Sequence, residues 1–130
     1  MYNETILDHN NHPYNFGKLA DTTMSQTVTN ASCGDSYEIQ LKIVDGLIDE
    51  VAFTGSGCAI SRAATDILLD LLRGQTVSTA QEIIAEYRKM IRGEDFDAAK
   101  IGEAVALQDI AKMPARTNCA LLPCQISERL

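Results

Sequence analysis

The hydrophobic pattern of the chain changes its period once, from alternation in the first half to helical spacing in the second. Apolar and polar residues alternate from Tyr37 to Ile43, which predicts a half-buried β-strand. Asp45-Gly46 then supplies the positive backbone dihedrals of a tight hairpin turn, and residues 47–54 form the returning strand. A weaker strand is predicted around residues 22–29. The first half therefore predicts a small antiparallel sheet.

Apolar residues at helical spacing follow this sheet. They predict a helix over residues 60–71, which Gly74 ends as a C-terminal cap. A second helix is predicted to begin at Ser78 or Thr79, because each has a Gln or Glu three residues later with which it could form a capping box. This helix is expected to end at Gly93.

Three further helices are predicted nearer the ends of the chain. The first contains Tyr2, Ile6 and Leu7 and ends before a proline, because the residue preceding proline avoids helical geometry. The others cover residues 104–111 and a final segment from Thr117 that a proline interrupts. The predicted fold class is α+β: a three-stranded antiparallel sheet with helices packed on one face.

Composition limits the functional classes. The chain has 130 residues, 45% of them hydrophobic and 22% charged, so we expect residues 1–130 to form a single domain without disulfides. The net charge of −7 argues against nucleic acid as the main partner. The sequence contains neither an apolar stretch long enough for a membrane span nor a recognisable signal peptide. We therefore expect a cytoplasmic protein with reduced cysteines.

Three cysteines and one aspartate, Cys33, Asp35, Cys58 and Cys119, lie where loops meet predicted elements. Three sulfurs and a carboxylate oxygen form a ligand set that zinc accepts in tetrahedral geometry. In an extended segment Cys33 and Asp35 would face the same way, and the glycine between them would allow a tight turn. Cys58 and Cys119 are each predicted to open a helix, where the dipole favours a thiolate. We interpret the four residues as a metal site with exchangeable ligands.

Less specific interpretations of these residues remain open. A free cysteine is often a small core hydrophobe, and this alternative applies to Cys58 and Cys119 taken singly and is favoured for Cys124. Arg116 could offset the negative charge of three thiolates and a carboxylate around one metal ion, or it could be an ordinary surface arginine. His9 is interpreted as a structural residue of the first helix.

Five segments together resemble the SufU branch of the IscU/SufU/NifU-N iron–sulfur cluster assembly family, and the resemblance covers essentially the whole chain. They are Ile6-Leu7-Asp8-His9 with Pro13, Ser32-Cys33-Gly34-Asp35, the GSGCAIS segment at residues 55–61, Ala106-Leu107-Gln108, and Met113-Pro114-Ala115-Arg116. The resemblance implies that Cys33, Asp35, Cys58 and Cys119 are the metal ligands. In IscU-type relatives a histidine precedes the last cysteine, whereas this chain has Asn118 there, which favours the SufU branch.

The resemblance also implies a function and partners. We expect a zinc-dependent acceptor and carrier of persulfide sulfur that works with a pyridoxal-phosphate-dependent cysteine desulfurase of the SufS type and with downstream assembly proteins. Any sulfurtransferase activity would require that desulfurase. Cys33 is the expected sulfur acceptor because its segment is the most polar of the three cysteine segments. Two alternatives are a scaffold that holds a transient iron–sulfur cluster and an interaction module whose zinc is structural.

Overall fold

Alternating burial along the central strand produces a three-stranded antiparallel sheet. The computed structural model describes residues 3–130, and its strands are β1 (Met24–Asn30), β2 (Asp35–Val44) and β3 (Leu47–Ser56), in the order β1-β2-β3. The Asp45-Gly46 turn has φ values of 51° and 78°, as the hairpin pattern predicted. One face of β2 is buried and the other faces outward, which confirms the half-buried strand.

Helical segments precede and follow the sheet, and their bounds agree with most of the predicted periodicity. They are α1 (Glu4–Asn11), α2 (Ala59–Leu72), α3 (Val77–Ile91), α4 (Ala98–Ile101), a 3₁₀ segment (Gly102–Lys112), α5 (Thr117–Leu121) and a second 3₁₀ segment (Leu122–Arg129). Among the described residues, no helix is both long enough and apolar enough to cross a membrane.

Helix α2 forms the centre of the hydrophobic core. Most of its apolar residues, including Ile60, Ile67 and Leu68, are buried and belong to one cluster with the buried residues of β2 and β3. Gly74 adopts a φ of 81° just after the helix, as predicted for the residue that ends it. Because α2 begins next to the end of β3, the core fixes the position of the intervening loop, which contains Cys58.

Helix α1 is held by a buried histidine. His9 Nδ1 lies 2.6 Å from Asp66 Oδ2 on α2, and His9 Nε2 lies 2.5 Å from Glu103 Oε1 in the first 3₁₀ segment. Burial alone would lower the pKa of His9, but the hydrogen bonds to Asp66 and Glu103 outweigh that effect and raise it. The structural role expected for His9 agrees with these contacts.

The inward face of α1 differs from the prediction. Ile6 and His9 are buried there, whereas Leu7 is 41% exposed. Tyr2, which was predicted to share this face, lies outside the described residues. The apolar pattern alone was misleading because the helix buries a polar residue that has two carboxylate partners.

The start of α3 also differs from the prediction. The capping residue is Thr76, whose hydroxyl oxygen accepts a hydrogen bond from the Thr79 amide at 3.0 Å. Neither Ser78 nor Thr79 caps the helix, because both lie within its first turn. A capping box therefore occurs at neither predicted position, and a simple threonine cap starts the helix earlier.

We expect Thr76→Ala to lower the free energy of unfolding by about 1 kcal/mol, because an amide of the first turn of α3 loses its hydrogen-bond acceptor. Ser78→Ala is the matched control, since it removes an exposed hydroxyl two residues away and should change stability by less than about 0.5 kcal/mol. Urea denaturation of both variants measures the difference. Equal stability of the two variants would contradict the assigned cap.

Candidate metal centre

Cys33 lies in a tight turn between β1 and β2. The Cys33 amide donates to Asn30 O at 3.3 Å, the Gly34 amide donates to Ala31 O at 3.3 Å, and Gly34 has a φ of 68°. The prediction that Cys33 and Asp35 lie in one extended segment is wrong, because the chain turns at Gly34 and the strand begins at Asp35. The tight turn expected from the glycine is present. It leaves Cys33 partly exposed and buries Asp35 at 2% exposure.

The fold brings Cys33, Asp35 and Cys119 together. One ligand atom from each residue lies within 4.8 Å of the other two, and the Cys33 and Cys119 sulfurs are 3.1 Å apart. These residues come from the β1–β2 turn, the start of β2 and the last α-helix. Their convergence from distant parts of the sequence gives the arrangement expected of a metal-binding group.

Cys58 lies beside this group without being one of its mutually close members. It is the N-cap of α2, and its sulfur accepts a hydrogen bond from the Ser61 amide at 3.4 Å. Its own amide donates to Asp35 Oδ1 at 2.8 Å, and its thiol is near enough to the thiol of Cys119 to affect the pKa of that group. The predicted position at the opening of a helix agrees with the structure, and the cap explains why the sulfur is turned toward α2.

Cys119 is the third residue of α5 and does not open that helix, because Arg116 occupies the N-cap. The thiol is completely buried. Burial, the hydrogen bond with the Cys33 thiol and the nearby Cys58 thiol raise the pKa of Cys119, opposite to the direction expected at a helix N-terminus. A bound cation is the physical means by which such a thiol would ionise near neutral pH.

Two polar side chains that the sequence analysis did not identify hold the Asp35 carboxylate. Asn30 donates from Nδ2 to Asp35 Oδ2 at 3.2 Å and to the Cys119 sulfur at 3.6 Å. Ser61 donates from its hydroxyl to Asp35 Oδ1 at 3.0 Å. The available signal was positional, because Asn30 belongs to the same turn as Cys33 and Ser61 lies one helical turn after Cys58.

Tyr37 lies behind Ser61, at the next inward-facing position of β2 after Asp35. Its hydroxyl is 2.9 Å from Ser61 Oγ, and burial raises the pKa of the phenol to about 12. Asp35 and Tyr37 share the inward face of β2. The predicted strand began only at Tyr37, and its alternation could not show that a serine from α2 would contact both residues.

Gly57 covers this polar cluster closely. A Cβ atom on Gly57 would lie 2.5 Å from Asp35 Oδ1, 2.5 Å from the Tyr37 hydroxyl oxygen and 2.6 Å from Ser61 Oγ. Gly57 does not have a positive φ, so its backbone conformation does not require glycine. Glycine is required here because there is no space for a side chain. No feature of the sequence alone indicates this steric role for Gly57.

The remaining candidate residues occupy different positions relative to the site. Arg116 Nη1 lies 3.9 Å from the Cys33 sulfur, close enough to lower the electrostatic cost of a thiolate there. Asn118 is exposed. Cys124 is only 2% exposed, is unpaired with another cysteine and packs in the core, as expected for a small hydrophobe.

The donor set fits zinc. Sulfur ligands at ~2.3 Å in tetrahedral geometry are about 3.8 Å apart, so the observed Cys33–Cys119 separation of 3.1 Å requires only a small outward movement of the partly exposed Cys33. Asp35 Oδ2 and the Cys119 sulfur share the Asn30 amide, so both are already held at one place. A fourth ligand from Cys58 requires its sulfur to turn away from the α2 cap.

The comparisons with known proteins point to one family. The family described as NifU-like N terminal domain matches residues 1–120 of the chain. The chain is 39% identical over 122 residues to a Thermotoga maritima protein named iron-sulfur cluster assembly scaffold protein IscU, covering 94% of this chain and 86% of the relative. It is 30% identical over 130 residues to a Bacillus subtilis protein named zinc-dependent sulfurtransferase SufU, covering 99% of this chain and 88% of the relative.

A solved structure shows the same fold. It comes from Fervidobacterium islandicum and is described as a candidate iron-sulfur cluster assembly scaffold protein for the SUF system. It superposes on this chain with a TM-score of 0.93 at 30% sequence identity, and the match covers 98% of this chain and 94% of the other. The family resemblance and the fold class expected from the sequence are therefore confirmed.

We expect Gly57→Ala to lower the free energy of unfolding by about 1–3 kcal/mol and to weaken zinc binding, because the new methyl group must displace Asp35, Tyr37 or Ser61. Ser56→Ala, at the exposed neighbouring position, is the control and should change neither property appreciably. Urea denaturation and competition for zinc with a chromophoric chelator measure the two effects. Native zinc affinity in Gly57→Ala would show that the cluster beneath this glycine does not hold a ligand.

Proposed function

We propose that this chain is a zinc-dependent acceptor and carrier of persulfide sulfur. The premise is that the chain belongs to the NifU-like N-terminal domain family of iron–sulfur cluster assembly proteins. The observation that supports this most strongly is the meeting of Cys33, Asp35 and Cys119 at one place, with Cys33 partly exposed. The name of the Bacillus subtilis relative, zinc-dependent sulfurtransferase SufU, points to the same chemistry.

We propose Cys33, Asp35, Cys58 and Cys119 as the zinc ligands. When bound, zinc would keep the coordinating thiols ionised near neutral pH and moderate their reactivity. Asp35 and Cys119 are the ligands held most firmly, because both are buried and Asn30 contacts both. Cys58 completes the set from the start of α2.

Cys33 is the proposed acceptor because it can move without disrupting a regular element. It lies in a turn of four residues, whereas Cys119 is buried within α5 and Cys58 caps α2. Cys124, the remaining thiol, is buried in the core, where burial raises its pKa to about 12. Cys33 is therefore the thiol whose exposure and surroundings best suit reaction with a partner's persulfide.

The transfer step is a thiol exchange. The Cys33 thiolate attacks the outer sulfur of a cysteine persulfide on the desulfurase, so a new S–S bond forms at Cys33 while the donor S–S bond breaks and the donor cysteine leaves as a thiolate. The step needs no external oxidant or reductant, because one S–S bond replaces another. Arg116, 3.9 Å from the Cys33 sulfur, would stabilise negative charge on the attacking thiolate and on the resulting persulfide.

A scaffold role is the second candidate function. The Thermotoga maritima relative, the more similar of the two by identity, is named as a scaffold protein. Three thiolates and a carboxylate could hold an iron–sulfur cluster as cargo, because thiolates are the usual ligands of such clusters. In this alternative Cys33 is a cluster ligand and need not accept a persulfide.

The first test compares Cys33→Ser with Cys124→Ser. We expect Cys33→Ser to abolish both the stimulation of a cysteine desulfurase and the persulfide trapped on this chain, because the attacking thiolate is lost. Cys124→Ser should retain both. Mass spectrometry after reaction with desulfurase and cysteine locates the added sulfur. Sulfur on Cys119 or Cys124 with Cys33 unmodified would show that the proposed acceptor is wrong.

A second test separates the carrier from its alternatives. Desulfurase turnover is measured with the zinc-loaded chain and with the chain after chelation of the metal. We expect stimulation by the zinc-loaded protein and its loss after chelation, with recovery when zinc is returned. Stimulation only after reconstitution with iron and sulfide would favour the scaffold. No stimulation in any form would favour an interaction module with structural zinc.

A further inference from the structure

The two oxygens of the Asp35 carboxylate have different surroundings. Oδ1 accepts hydrogen bonds from the Cys58 amide at 2.8 Å and the Ser61 hydroxyl at 3.0 Å. Oδ2 accepts one from Asn30, whose amide also reaches the Cys119 sulfur. One oxygen is thus bound to the start of α2, while the other lies on the side of the thiols.

Ser61 is able to hold Asp35 Oδ1 because the Tyr37 hydroxyl in turn holds the Ser61 hydroxyl in position. A serine hydroxyl has one proton to donate and two lone pairs with which to accept. The Tyr37 hydroxyl lies 2.9 Å from Ser61 Oγ, and both side chains are buried, at 1% and 0% exposure. When Tyr37 donates to Ser61, the serine proton is directed to Asp35 Oδ1 or to the Cys58 carbonyl, which is 3.1 Å away. Both acceptors belong to the site.

We infer that Ser61, supported by Tyr37, is a positioning residue that fixes Asp35 through Oδ1 and so presents Oδ2 to the metal. This inference deepens the proposed function and rests on it. Neither Ser61 nor Tyr37 touches the metal or the transferred sulfur; both act through Asp35.

The need for this positioning follows from the spacing of the ligands. Cys33 and Asp35 are joined through Gly34, whose φ of 68° marks the turn between them. A ligand that leaves the metal to accept sulfur would tend to move its neighbour two residues away. The hydrogen bonds of Oδ1 to Ser61 and to the Cys58 amide attach Asp35 to α2, so the turn can move while the carboxylate stays in place.

The test is a double-mutant cycle on zinc affinity with zinc alone and no desulfurase present. The variants are Ser61→Ala, Asp35→Ala and the double variant, measured by competition with a chromophoric chelator. We expect Ser61→Ala to weaken zinc binding by ~10-fold or more, as for other residues that orient a metal ligand. In a chain that already carries Asp35→Ala, Ser61→Ala should weaken zinc binding by less than about 2-fold, because the carboxylate through which Ser61 acts is gone.

Thr65→Val is the matched control. Thr65 is a buried residue one turn further along α2, and its hydroxyl donates to the Ser61 carbonyl at 2.8 Å instead of to Asp35. Thr65→Val should change zinc affinity by less than about 2-fold, with or without Asp35, because Thr65 does not hold a metal ligand in place.

Tyr37→Phe keeps the buried ring and removes only the hydroxyl. It should weaken zinc binding less than Ser61→Ala does, and again only when Asp35 is present.

Equal losses for Ser61→Ala with and without Asp35 would overturn the inference, as would unchanged affinity of Ser61→Ala in the chain that retains Asp35. These outcomes are distinct from failure of the proposed function. If the effects of Ser61→Ala and Asp35→Ala on zinc affinity are additive while mass spectrometry finds a persulfide on Cys33, only the role of Ser61 is overturned. If the two effects are non-additive but no persulfide forms on Cys33, only the role of the chain as a sulfur acceptor is overturned.

Discussion

The close approach of two thiols and a carboxylate, with a third thiol beside them, is the constraint on which the site depends. Cys33 and Cys119 have sulfurs 3.1 Å apart beside the buried Asp35, and the Cys58 amide donates to that carboxylate from the start of α2. Ionising several such groups in a buried place is unfavourable unless a cation accompanies them. The sheet, α2 and α5 therefore build a site that is suited to a metal and would be costly as a cluster of free anions.

The site has a rigid part and a movable part. Asp35 and Cys119 are buried and share the Asn30 amide, and the α2 cap holds Cys58. Cys58 and Cys33 are both partly exposed, but Cys33 differs because it lies in a turn whose backbone is reversed by a glycine. The proposed sulfur acceptance needs this division, since a carrier must expose one thiol to its partner while the other ligands keep the metal in place.

Much of the fold was predictable because its signals are local. The alternation in β2, the Asp45-Gly46 turn and the helical spacing of α2 each follow from burial of one face or from a positive φ. The cap at Thr76 was not predicted, because Ser78 and Thr79 are also residue types that commonly cap helices. The burial of His9 could not follow from hydrophobic spacing, because its partners Asp66 and Glu103 are distant in sequence.

The candidate site was only partly predictable for the same reason. Residue type and motif identified the three cysteines and Asp35, but spacing could not show that the Cys58 sulfur turns toward α2 or that Cys119 is deeply buried. Asn30 and Ser61 carry no metal-ligand signature, and their role appears only when the turn and α2 meet at Asp35.

X-ray absorption at the zinc edge of the zinc-loaded protein tests the central claim most directly. Coordination by Cys33, Asp35, Cys58 and Cys119 predicts three sulfur neighbours at ~2.3 Å and one oxygen neighbour at ~2.0–2.2 Å. Two sulfur neighbours with two light-atom neighbours would contradict the account, because Cys58 would then remain the cap of α2 and stay off the metal.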